Sequence, residues 1–118
     1  MIYVAQAGGK DGPVKIGRAK NPRLRVAGMR TGCPTDLRLL TFAEWHDTNE
    51  MLIHWYLRDS RTRGEWFAPT KRVEAVCHRI DKNEFHELMG EISADPEFDR
   101  NYFVGRTSCW WPEKPHAQ

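Results

Sequence analysis

Two short strand-like runs, Met1 to Ala7 and Val14 to Arg18, are separated by Gly8-Gly9-Lys10-Asp11-Gly12-Pro13, and this arrangement constrains the fold more than any other feature. In the first run Ile2, Val4 and Ala5 alternate around Tyr3 and Gln6; the intervening glycines and proline interrupt both strand and helix. The N-terminus therefore reads as a hairpin. Its connection exceeds the favoured two-residue turns, so the clustered glycines, which accept positive φ at little cost, are expected to build a wide loop or a bulge.

Breakers and periodicity divide the rest. Asn21 suits an N-cap and Pro22 the first helical position, which predicts a helix to Thr31 that Gly32 stops. Leu37 to Trp45 is rich in apolar residues, with Leu37, Leu39, Phe42 and Trp45 suggesting a third strand. Asp47-Thr48-Asn49-Glu50 opens a second helix through about Asp59, with Leu52, Trp55, Tyr56 and Leu57 on its inner face. Beyond Gly64-Glu65-Trp66-Phe67 and Pro69, the spacing of Val73, Val76, Cys77 and Ile80 predicts a third helix over Thr70 to Ile80. Phe85, Leu88, Met89 and Ile92 predict a fourth, before Asp95-Pro96 and an aromatic tail from Tyr102 to Trp111. No segment repeats another.

At 118 residues the chain fits one domain, and 40% hydrophobic, 11% aromatic and 29% charged residues describe an ordinary globular composition. No apolar run approaches the roughly 18 residues of a membrane span, and Met1 leads straight into a strand without a basic leader, so neither secretion nor membrane insertion is expected. Cys33, Cys77 and Cys109 are odd in number and widely spaced, which argues against a disulfide framework or a zinc ribbon and for a reducing, cytoplasmic compartment. The net charge of +2 conceals a partition. Lys15, Arg18, Lys20, Arg23, Arg25 and Arg30 fall in a stretch with no acid, whereas Asp81, Glu84, Glu87, Glu91, Asp95, Glu97 and Asp99 face one base, Lys82. The basic half suits a polyanion such as nucleic acid; an ordinary solvated face is the alternative.

Several residues can carry chemistry. On a helical wheel Arg23 and Arg30 share a face while Arg25 projects almost opposite, beside Leu24, Gly28 and Met29. Such an arginine has either a carboxylate partner or an anion in a cleft. Glu50, His54 and Arg58 fall on one stripe of the second helix, although Asp47-x-x-Glu50 is also a capping box and His54 can be a plain surface histidine. Tyr3 and Lys15, on adjacent strands, can face one side, or be a half-buried strand tyrosine and a solvent lysine.

With Tyr3 in Ile2-Tyr3-Val4, then Val14-Lys15-Ile16-Gly17, then Arg25 eight residues past that glycine, the chain resembles the GIY-YIG nuclease superfamily. Gly12-Pro13-Val14-Lys15-Ile16-Gly17-Arg18, Asn21-Pro22, Thr31-Gly32-x-Pro34, Leu37 to Leu40, Glu50-x-x-x-His54 and Arg63-Gly64-Glu65-Trp66-Phe67 are similar to its phage T5-type and meiotically up-regulated branch, which commonly carries a K-I-G signature. The resemblance spans about Met1 to Phe67 and leaves residues beyond Pro69 uncovered. It implies an α/β (α+β) fold, a small three-stranded antiparallel sheet flanked by helices. Residues 1–69 would form the nuclease-like core, and residues 70–118 a helical extension and aromatic tail packed on the same domain. It further implies one divalent cation, Mg²⁺ or Mn²⁺, held by Glu50, with Arg25 on the scissile phosphate and Tyr3 orienting or activating the attacking water.

Two positions depart from the superfamily pattern. Lys15 stands where a second tyrosine is usual, leaving Tyr3, a metal-bound water or Lys15 itself as base. Met29 stands where a histidine is often found, leaving His54 to assist proton transfer; Glu65 is a second carboxylate without an assigned role. The expected function is a metal-dependent DNA endonuclease, with Arg18, Lys20, Arg23 and Arg30 on the nucleic-acid backbone and RNA also possible as substrate. The alternative is a catalytically inactive nucleic-acid-binding module on the same scaffold. A third reading gives the C-terminal tail, with Trp110-Trp111, to a protein partner.

Overall fold

The computed structural model describes residues 1–32, 35–103 and 106. Strands β1 (Ile2–Ala7) and β2 (Val14–Arg18) form the expected antiparallel hairpin, with Tyr3 opposite Gly17 and Ala5 opposite Lys15. Gly8 and Gly9 both take positive φ in the wide connection. The buried Gln6 amide donates to the Lys10 and Gly12 carbonyls at 2.9 Å, closing that loop from inside. Strand β3 (Leu37–Ala43) pairs with the other edge of β1, with a register shift between Val4 and Ala5. β1 is therefore central and buried along its whole length, a departure from the half-exposed alternation its sequence suggests. Helix α1 (Pro22–Arg30) covers the face carrying Tyr3, Ala5 and Ala7, and the remaining helices cover Ile2 and Val4.

The sheet has five strands rather than the expected three, in the order β3-β1-β2-β5-β4. β4 (Arg61–Arg63) and β5 (Trp66–Phe67) form a second hairpin across Gly64, whose φ is +56°, and β5 pairs with Val14 and Lys15 of β2. Strands this short show no period of two, which is why this stretch reads in the sequence as a terminator.

Two element boundaries also differ. β3 ends at Ala43, short of Trp45, because the indole leaves the sheet for the core. It donates to the Asn83 side chain at 2.7 Å and meets Phe85 edge-on. The second helix, α2 (Glu50–Tyr56), is shorter than the run to Asp59 that spacing suggests; 3-10 turns over Asp47–Asn49 and Arg58–Ser60 flank it. The capping box does not form. Asp47 instead pairs with the amine of Met1 at 2.6 Å, and the His46 ring caps the preceding turn by accepting from the Thr48 amide.

Helices α3 (Lys71–Asp81) and α4 (Phe85–Ser93) match their periodicity and bury Val73, Val76, Ile80, Leu88, Met89 and Ile92 in one core with Ile2, Val4 and Ile16. A short α5 (Arg100–Phe103) adds Phe103 to it. Among the described residues no helix is long and apolar enough to cross a membrane. Cys77 is a free thiol whose pKa burial pushes up to about 12, which keeps it protonated at neutral pH. Cys33, Cys109 and the Trp110-Trp111 pair lie outside the described residues.

Candidate active site

The K-I-G run of β2 acquires a physical reason in the packing. Tyr3 and Gly17 are cross-strand partners, and a Cβ at position 17 would fall 2.7 Å from the Tyr3 hydroxyl. Only glycine leaves room for the phenol to lie flat over β2. Tyr3 is 1% exposed, far more enclosed than a half-buried strand tyrosine, and its hydroxyl is hydrogen-bonded with Arg25. Burial raises the phenol's pKa, the Arg25 hydrogen bond opposes that rise, and the charges of Glu65 and Glu50 add to it. Arg25 is itself exposed and, among the described residues, pairs with no carboxylate. Of the two sequence readings for its odd aim, the carboxylate partner is thus the one not realised. Met29 borders the same hollow as Arg25, Leu24 and Gly28, packed against the Tyr3 cluster.

Helix α2 runs beside the part of β2 that β5 leaves uncovered, and this brings Glu50 and His54 to the sheet edge. The His54 Nε2 lies 2.7 Å from the Ile16 carbonyl, which can only accept, so Nε2 carries the proton. Phe67 holds the ring from β5, with centroids 5.2 Å apart. Burial lowers the His54 pKa, so the ring is neutral at neutral pH and its Nδ1 lone pair faces Glu50 Oε1 at 3.8 Å. Two acceptors facing each other repel unless a proton or a cation lies between them. Glu50 shows the same demand: its Oε2 is buried without a hydrogen-bond partner among the described residues, and burial, then the charge of Glu65, raises its pKa to about 7.

Lys15 occupies the same sheet face as Tyr3 by the alternation of β2. It pairs with Glu65 at 3.3 Å and sits 5.5 Å over the Trp66 ring, so it is neither a solvent lysine nor a free amine. Glu65 is the residue to which sequence reasoning gave no role: it faces Lys15, and its charge reaches Tyr3, Glu50 and His54. Its only sequence signal was its place beside Trp66 in the Gly64-Glu65-Trp66-Phe67 run.

The basic residues of the N-terminal half separate. Arg18 lines a cavity of about 370 Å³ together with Asp47, Glu50, Met51 and His54. Arg23 lies over the Phe42 ring and Arg30 donates to the Leu37 carbonyl at 2.7 Å, both in the groove between α1 and β3. Lys20 is exposed. Arg58 does not join Glu50 and His54 as the stripe suggested. The helix has ended before it, and it stacks on Trp55 at 4.2 Å and pairs with Glu97 and Asp95 at 2.9 and 3.6 Å.

A single buried carboxylate with an unsatisfied oxygen, opening on a cavity, fits a hard divalent cation that keeps most of its waters. Among the described residues no three His, Cys, Asp or Glu converge, so a closed structural zinc set has no counterpart.

The T5orf172 domain model matches residues 1–92. The chain belongs to the T5orf172 domain family. No curated protein and no solved structure matches it. The T5orf172 domain is related to nuclease-type domains and is compatible with a nuclease-like or nucleic-acid-binding role. The T5orf172 match runs past Phe67, where the sequence resemblance stops, and takes in α3 and most of α4. That extent agrees with the packing, since both helices complete the core beneath the sheet.

Proposed function

We propose that the chain is a divalent-cation-dependent DNA endonuclease of the GIY-YIG type, using Tyr3, Lys15, Arg25, Glu50 and His54. The observation that carries this reading is the buried, partnerless Glu50 oxygen facing a neutral His54 beside a Tyr3–Arg25 pair. A Mg²⁺ or Mn²⁺ ion held by Glu50 would neutralise charge on the phosphodiester and acidify a water.

The chain's own groups divide the remaining work. Arg25, which pairs with no carboxylate among the described residues, presents its guanidinium to the phosphate oxygens, where charge accumulates in the transition state. Tyr3, kept protonated by burial, acts as a hydrogen-bond donor and acceptor that orients the attacking water rather than as a phenolate base. His54 offers Nδ1 as proton acceptor, because the Ile16 carbonyl holds its other nitrogen in the protonated form. Lys15 adds an ammonium near the nucleophile, positioned by Glu65 and Trp66. Arg18, Lys20, Arg23 and Arg30 serve as backbone contacts without base readout.

The test is cleavage of supercoiled, linear and branched DNA with Mg²⁺, Mn²⁺ or EDTA, beside Glu50→Ala. Metal-dependent nicking by the native protein, lost at least about 100-fold in the variant while folding and DNA affinity persist, is expected. Equal cleavage by both proteins would sink the assignment of Glu50. Salt-sensitive binding without cleavage under every condition would mark an inactive binding module instead.

A further inference from the structure

Arg106 lies beyond the residue where the family match ends, yet it borders the same cavity as Arg18, Glu50 and His54. Its location is set by the core. Phe103 of α5 is 1% exposed and stacks on Phe98, with planes 8° apart and centroids at 5.7 Å. Both rings meet Trp55 edge-on at 5.8 Å. Trp55 follows His54 in α2, so the helix that carries Glu50 and His54 also anchors the segment that carries Arg106.

The guanidinium is held without being spent. One of its N–H groups donates to the Tyr102 carbonyl, and the group lies 4.8 Å over the Tyr102 ring. Among the described residues no carboxylate pairs with it, in contrast to Arg58, Arg72 and Arg79. A guanidinium has five N–H donors in a planar fork, so most remain for an external anion. Arg18, which also lines the cavity and also lacks a paired carboxylate among the described residues, supplies a second fork.

We infer that Arg106 is a phosphate clamp added by the C-terminal segment. With Arg18 it grips a nucleic-acid phosphate flanking the one engaged by Arg25, so that the extension beyond the shared domain contributes to substrate binding. This inference rests on the nuclease reading, which names the ligand.

Binding of a fluorescent DNA duplex, measured in EDTA from about 50 to 300 mM salt, tests it with the full chain, Arg106→Ala and Arg106→Lys. Arg106→Ala should weaken low-salt affinity roughly fivefold and lower the slope of log affinity against log salt by about 0.9, the loss expected for one phosphate contact. Its melting temperature should stay at the native value, because the side chain is exposed. Arg106→Lys should keep the native slope. Native affinity and slope in Arg106→Ala would overturn the clamp and leave the nuclease reading standing, as would weaker binding with an unchanged slope. Failure of the native protein to bind duplex at any salt would overturn both.

Discussion

The molecule holds two populations of arginine that its sequence does not distinguish. Arg58, Arg72 and Arg79 pair with Asp95, Glu97, Glu84 and Glu91 and tie α3, α4 and the following turn together. Arg18 and Arg25 lie at the Glu50 and Tyr3 end of the sheet and, among the described residues, pair with no carboxylate. The acidic stretch that looks like a negative face is therefore partly consumed inside the fold, with the Asp95 side chain only 6% exposed. Charge counted along a chain is not charge presented to a ligand. What separates the populations is whether packing supplies a counter-ion before a ligand can.

The contrast breaks most sharply on paired substitutions. On the nuclease reading, Arg25→Ala should lower DNA cleavage about 100- to 1000-fold at a cost of only about 1 kcal/mol in stability, since a lost transition-state contact costs rate and the exposed side chain gives the fold little beyond its hydrogen bond to Tyr3. Arg58→Ala should spare the rate. It leaves the enclosed Asp95 with Arg72 alone and removes a cation from the Trp55 face, for a loss of about 1 kcal/mol by thermal unfolding and no change in cleavage rate. Matching rate losses in both variants would mean that the two populations are not distinct.

Gly17→Ala sharpens the Tyr3 side of the comparison. The new methyl must displace the Tyr3 phenol, so a stability loss of about 1 to 3 kcal/mol is expected together with a drop in cleavage. Rate and stability should here fall together, whereas Arg25→Ala loses mainly rate, and native behaviour would show that the phenol has room to spare.

A smaller effect concerns pH in the metal-free protein. The Glu50 carboxyl is raised from 4.5 to about 7, so between those values the folded state retains a proton that the unfolded chain has lost. Stability contributed by Glu50 is greatest below the lower value and declines as pH rises through the upper one. Glu50→Gln should therefore be more stable than the native protein in EDTA near pH 8, by on the order of 1 to 2 kcal/mol, and should lose that advantage near pH 4. Thermal melts at the two pH values check this, and a variant less stable at the higher pH would contradict it.

Much of the scaffold was legible because it is local. The Asn21 cap accepting from the Leu24 amide, Pro22 at the helix start and the period of α3 and α4 act within a turn or two of chain. Tyr3, Arg25, Glu50 and His54 were legible as a spaced set, and the fold brings them into one neighbourhood. The second hairpin was not legible, because β4 and β5 acquire their pairing from β2 rather than from any pattern of their own. The capping box that does not form was illegible for a related reason: Asp47, the nominal capping residue, is claimed by the Met1 amine.

The sequence by itself determined the β-hairpin, the capped first helix and the amphipathic C-terminal helices, and it singled out Tyr3, Arg25, Glu50 and His54 as candidates, since residue type and short-range spacing carry that information. Tertiary structure alone decided that Lys15 faces Glu65 and, among the described residues, that Arg25 meets a phenol instead of a carboxylate and that Glu50 keeps an oxygen without a partner. Those outcomes depend on burial and on neighbours distant in the chain. Desolvation and through-space charge, which set a group's chemistry, exist only once the sheet and helices have closed around it.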